Sequence, residues 1–141
     1  MKVLKNILLL LFIVINAAVA AATLNIAVAS NFSQPARQLA LKFEQQSGVS
    51  VLISTGSTQI LAKQLANGAP YDVFLAADES TPARLVSDGY ALAGTQFTYA
   101  RGQLVLWSHQ SGFIKGDDKV LFTNKFKHLA IANPKLAPYG A

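Results

Sequence analysis

No cysteine occurs anywhere in the chain, which excludes a disulfide framework, a thiolate metal site and a lipidated cysteine tether. Histidine is nearly as scarce. His109 and His128 stand apart from any carboxylate pattern, so no metal-ligand spacing exists and both read as surface or loop residues. Basic residues are spread singly (Arg37, Lys42, Lys63, Arg84, Arg101), and only Lys119, Lys125 and Lys127 come close together, so no stripe for nucleic acid is present. No serine is set in a nucleophile elbow, and Asp72 and Asp78 flank an apolar run too near its ends for an obvious acid/base pair. Trp107, Phe74, Phe113 and Phe122 read as packing residues rather than a cofactor box. Catalysis therefore has little footing.

What the chain has in excess is apolar residues, 52% of its 141, and much of that excess sits at the front. MKVLKNILLLLFIVINAAVA places Lys2 and Lys5 before an unbroken apolar run from Ile7 to Ile15, followed by the small-x-small exit Ala18-Val19-Ala20. This is the layout of a secretory signal peptide, with cleavage expected after Ala20. A spanning anchor needs about 20 apolar residues, and Asn16 interrupts the run before that length is reached. Export to the periplasm follows, with no stable membrane insertion after cleavage. The remaining 121 residues carry ten basic and seven acidic side chains, a mild net charge of +3.

Apolar runs and helical periods then alternate. Leu24 to Ala29 reads as a strand, and Phe32, Ala36, Leu39, Ala40 and Phe43 recur at helical spacing up to Ser47-Gly48. Val49 to Ser54 is a second strand, followed by a short helix through Ile60, Leu61, Gln64 and Leu65 that ends at Asn67-Gly68. Val73 to Ala77 is a third strand, with a helix from about Thr81 to Ser87. Three successive β-α units predict an α/β fold, a parallel sheet with flanking helices. Beyond Gly94 the pattern changes. Phe97 to Trp107 and His128 to Ala132 are expected as strands of a second lobe, with a short helix over 122–127. The chain stops at NPKLAPYGA, a loop that looks like the lead-in to a helix, and a fragment of a longer protein is expected.

Where the first two strands end, the residues turn small and polar: Ser30-Asn31 after the first, and Thr55-Gly56-Ser57-Thr58 after the second. In an open parallel sheet, ligands sit outside the carboxyl ends of the strands, where helix N-termini present N–H groups. No charged residue occurs between Thr23 and Pro35 or between Val49 and Ala62, so an anion held there would be held by neutral donors. Gly56 is expected to permit a tight turn. Plain helix capping by Ser, Thr and Asn remains the alternative for either loop alone.

AVASNF, STGSTQILAKQLANGAPYDVFLAAD (residues 54–78), GTQFTYARGQLVLW (residues 94–107) and LAIANPKLAPYGA (residues 129–141) together resemble the periplasmic molybdate-binding proteins that serve ABC transporters. The resemblance implies a type II periplasmic-binding-protein fold of two α/β lobes. The signal peptide would occupy residues 1–20, the first lobe 21–95, and the start of an incomplete second lobe 96–141. It implies a monomeric binding protein, not an enzyme, that captures molybdate or tungstate without a cofactor and delivers it to the membrane permease of an ABC transporter. By the same resemblance the oxyanion is held by Ser30 and Asn31, by the hydroxyls of Ser57 and Thr58, and by Tyr139. Molybdenum would thus be held as its oxyanion, with no direct metal-ligand cluster. Thr58 stands where many members have serine. Three other readings stay open: a carrier of another oxyanion or small anion, a phosphate-handling enzyme, and the sensing domain of a regulator, against which the signal peptide argues.

Overall fold

The run LNIAVA forms β1 (Thr23–Ala29) in the computed structural model, which describes residues 22–123 and 125–140. The expected signal peptide lies outside the described residues. Small and β-branched side chains without charge let β1 bury its last three residues, Ala27, Val28 and Ala29, between two neighbours. Helix α1 (Ser33–Ser47) follows and stops at Gly48, whose left-handed φ of 72° lets its N–H reach the Glu44 carbonyl at 2.9 Å. Then come β2 (Ser50–Gly56), α2 (Thr58–Ala66), β3 (Val73–Leu75) and α3 (Ser80–Ser87).

All pairing is parallel, in the order β2-β1-β3. The chain steps from β1 to β2 in one direction and from β2 back across β1 to β3 in the other. Right-handed crossovers therefore set α1 on one face of the sheet and α2 on the other, with α3 packed beside α2. The two directions diverge between β1 and β3, which makes their carboxyl ends the switch point of the sheet. Leu61 of α2 and Leu85 of α3 are buried on one face. The α1 face is looser: Leu24, Ile26, Val51, Ile53 and Leu75 join α1 residues around an apolar groove of about 190 Å³.

Three sequence expectations change. β3 ends at Leu75 rather than Ala77, because the Ala77 N–H is taken by the Thr58 hydroxyl at 3.2 Å instead of by the sheet. The segments 97–107 and 128–132, expected as strands of a second lobe, are not strands; among the described residues no strand follows β3. A β-prone segment becomes a strand only where another backbone pairs with it, and here Phe97, Leu104 and Trp107 remain exposed. The helix expected over 122–127 is instead a 3-10 turn at Lys119–Phe122. Asp117 opens it by accepting the Lys119 N–H at 3.2 Å, and Thr123 closes it through its hydroxyl to the Val120 carbonyl at 2.8 Å.

Leu61, 1% exposed, packs under the end of β2. Leu61→Ala is expected to cost the full-length protein about 2–5 kcal/mol in denaturant melts, the range for a buried leucine whose cavity only partly collapses.

Candidate functional site

The register of β1 and β2 ends on the pair Ala29 and Gly56, so the chain leaves both strands at the same level. Ser30 and Asn31 form an exposed 3-10 turn with Phe32 directly beyond that level, and Ser57 and Thr58 follow directly after the neighbouring strand. The first turn is held at the Ser30 carbonyl, which accepts the Ser33 N–H and, at 2.9 Å, the Ser33 hydroxyl. Phe32, not Ser30 or Asn31, occupies the cap position of α1, and no side chain caps it there.

Ser57 sits at the cap position of α2 in extended conformation, yet its side chain makes no capping bond. Its Oγ is buried without a hydrogen-bond partner among the described residues. Such an orphan costs about 1–3 kcal/mol. Thr58, 1% exposed, accepts the Ala77 N–H and so ties the start of α2 to the end of β3. A hydroxyl that accepts still has its own proton to donate. Gly56 is present for a reason other than the expected tight turn. It is not among the positive-φ glycines, but a Cβ on it would stand 3.2 Å from Leu61 Cγ.

Tyr139 reaches the same end of the sheet from far along the chain. Asn133 organises the loop before it, accepting the Leu136 and Ala137 N–H groups on its carbonyl and the Lys135 N–H on its side chain at 2.9 Å. The Gln59 N–H of α2 donates to the Leu136 carbonyl at 3.4 Å, which docks the loop on the first turn of that helix. The hydroxyl of Tyr139 lies so close to Gly102 that a Cβ there would overlap it. All five expected site residues thus sit in segments gathered at the carboxyl ends of the strands.

Sequence reasoning missed two residues there. Tyr99 donates its hydroxyl to the Ala76 carbonyl at 2.9 Å and sets its ring edge-on to Phe32, centroids 5.0 Å apart. Burial, and secondly the neighbouring Tyr139, push its phenol above the ordinary tyrosine value of 10.0. Gln59 donates its amide to Thr81 at 3.1 Å and accepts Arg84 at 3.1 Å. These partners are 22 to 67 positions away, so nothing local in the sequence announces them. Asp78 accepts the Thr81 N–H at 2.6 Å, and Asp72 accepts the Asn25 N–H at 2.8 Å, so both carboxylates serve the backbone. Among the described residues no group of three or more His, Cys, Asp or Glu is placed to hold a metal ion, and no helix is long and apolar enough to cross a membrane.

The two hydroxyls make opposite forecasts for the ligand-free protein. Thr58→Val strands the Ala77 N–H and is expected to cost about 1–3 kcal/mol in urea melts, whereas Ser57→Ala removes an unpartnered oxygen and should leave stability within about 0.5 kcal/mol or raise it. Tyr99 forecasts an alkaline effect. Its folded pKa lies above its unfolded value, so the stability it contributes is whole below pH 10 and fades as pH climbs through the raised folded value. Melts of wild type and Tyr99→Phe should converge over that alkaline range.

Residues 24–141 match the family model described as bacterial extracellular solute-binding protein. The chain is 50% identical over 121 residues to the molybdate-binding protein ModA of Azotobacter vinelandii, covering 86% of this chain and 48% of that one. It is 44% identical over 115 residues to ModA of Rhodobacter capsulatus, covering 82% and 45%. A solved structure of the Azotobacter vinelandii periplasmic molybdate-binding protein superposes with a TM-score of 0.79 at 48% identity, over 83% of this chain and 51% of that chain. The chain thus spans about half the length of the curated relatives it matches. With the same α/β fold as that structure and a family match that runs from β1 to the last residue, this chain belongs to the bacterial extracellular solute-binding proteins.

Proposed function

We propose that the protein is an extracytoplasmic binding protein that captures molybdate, and tungstate with it, and hands the oxyanion to the permease of an ABC transporter. The observation that carries this reading is the Ser57 hydroxyl, buried without a partner among the described residues just past the common end of two paired strands, level with Ser30 and Asn31. A buried donor is left unpaired at a cost, and a ligand that accepts its proton removes that cost. The curated relatives at 50% and 44% identity are both named as molybdate-binding, which supplies the choice of anion.

In this reading Ser30, Asn31, Ser57, Thr58 and Tyr139 donate to the oxygens of a tetrahedral dianion, assisted by the N-terminus of α2. Capture, not turnover, is the reading the relatives support, since those at 50% and 44% identity are both named as binding proteins. Residues 1–20 direct export and are removed near Ala20, leaving a monomer in the periplasm. Residues 21–95 contribute to the first lobe and 96–141 begin a second. Molybdate, tungstate and sulfate share charge and acceptor pattern, so selection among them rests on the size of the closed site.

Calorimetry on the full-length protein tests this directly. Molybdate and tungstate are expected to bind, with sulfate and phosphate weaker. Ser57→Ala is expected to lose roughly 10- to 150-fold in molybdate affinity, the worth of a hydrogen bond to a charged acceptor. Absence of heat with molybdate, or tighter binding of sulfate, overturns the choice of ligand.

A further inference from the structure

Tyr99 occupies a position that neither the strand-end hydroxyls nor the relatives explain. It lies beyond α3, outside any strand or helix, at the start of the segment expected to enter the second lobe. Its side chain is half-buried and meets the chain at two separated places, and its own segment meets it at a third. The ring packs edge-on against Phe32, which directly follows Asn31, with 5.0 Å between centroids and 64° between planes. The hydroxyl donates to the carbonyl of Ala76, just past the end of β3, at 2.9 Å. Three residues on, the backbone at Gly102 receives the hydroxyl end of Tyr139.

Phe32 follows β1 and Ala76 follows β3, the two adjacent strands whose connections leave in opposite directions. One side chain therefore bridges the loops that follow these two strands. The turn Ser30–Phe32 has no side-chain cap at either of its boundaries with β1 and α1, and the loop of Tyr139 is held to α2 by the long bond from Gln59 to Leu136. An aromatic ring with one polar tip suits this place, because it packs on Phe32 while satisfying a carbonyl that the short β3 leaves outside the sheet.

We propose that Tyr99 is a positioning residue of the anion site, one that fixes the loop of Asn31 against the end of β3 and the loop of Tyr139. The inference rests on the oxyanion-binding reading for its effect on affinity, but not for its effect on the loops. Tyr99 itself touches no anion. It acts by reducing the freedom that Asn31 and Tyr139 lose when a ligand orders them, a preorganisation that appears in affinity rather than in new contacts. The two ends of the side chain have separable tasks: the ring serves the Phe32 side, and the hydroxyl serves the Ala76 side.

The test uses amide hydrogen exchange and molybdate calorimetry on the full-length protein, with Tyr99→Phe and Tyr99→Leu compared to wild type. Three amides report on the loops: Ser33, bonded to the Ser30 carbonyl, Gln59, bonded to Leu136, and Gly140, bonded to Ala137. In Tyr99→Leu all three are expected to exchange faster, by about tenfold or more, while Val28 in the core is unchanged. Tyr99→Phe keeps the ring, so Ser33 stays protected and only Gln59 and Gly140 accelerate. Molybdate affinity is expected to fall by about tenfold in the phenylalanine variant and further in the leucine one. Unchanged exchange at these amides overturns the proposal, whatever the protein binds. Faster exchange with wild-type affinity also overturns it, because the loops would then be held without consequence for the site. If wild type itself gives no heat with molybdate, the choice of ligand fails, and the exchange pattern alone decides whether Tyr99 couples the loops.

Discussion

Everything at the ligand end of this fold depends on where β1 stops. β1 is the central strand, paired in parallel on both edges, and its last three residues are shut away from solvent. A parallel ladder fixes which residues stand level, and the ladder here runs without a bulge to the pair Ala29 and Gly56. A one-residue slip of β2 would turn its inward face outward and carry Ser57 away from Ser30 at the same stroke. The register that turns Val51 and Ile53 toward α1 beside the buried Val28 is therefore the register that sets two neutral loops side by side. Packing and site are one constraint.

Holding a dianion without a cation asks for donors that are already aimed. Residues 21–141 carry only mild positive charge, and Arg84 on α3 spends a guanidinium N–H on the side chain of Gln59. Around α2 the polar groups are bound into a chain: Arg84 to Gln59, Gln59 to Thr81, Thr81 to Asp78. Asp78 is thereby kept on the first turn of α3, accepting from Ser80 and Thr81, rather than facing the loops where its charge would repel an anion. The start of α2 is steadied by side chains that never need to touch a ligand.

The three β-α units were legible because their signals are local. The apolar runs, the helical spacing of Ala36, Leu39, Ala40 and Phe43, and the stop at Gly48 each depend on residues within a turn or two, and the helices fall within a few residues of expectation. The polar strand ends were legible too, since Ser30-Asn31 and Ser57-Thr58 follow their apolar runs directly. What the sequence could not disclose is how each hydroxyl is used. Ser57 and Thr58 are adjacent and chemically alike, yet one is left unpartnered and the other holds Ala77, a partner 19 positions away that also cuts β3 short. Tyr99 was hidden for the same reason, because its contacts with Phe32 and Ala76 join elements that only the fold brings together. The strand character read into 97–107 failed for a related cause. β-propensity describes how side chains suit a paired surface, and it supplies no partner.

The difference between Ser57 and Thr58 bears on what the proposed site can discriminate. A hydroxyl has one proton and two lone pairs, so a free one adapts to whatever it meets, donating to a bare oxygen or accepting from a protonated one. Thr58 is not free in that sense. The Ala77 N–H occupies one of its lone pairs and restrains the rotation of the group, so the role left open to it is to donate its proton. Backbone N–H groups at the start of α2 are donors outright and cannot accept. A site in which these donors face one small volume favours an anion whose oxygens are all unprotonated at neutral pH, and disfavours one that must keep a proton and would point it at another donor. Ser57, with no partner of its own, is the adaptable member of the set. Size then remains as the means of separating fully deprotonated tetrahedral anions from one another, because the donor pattern treats them alike.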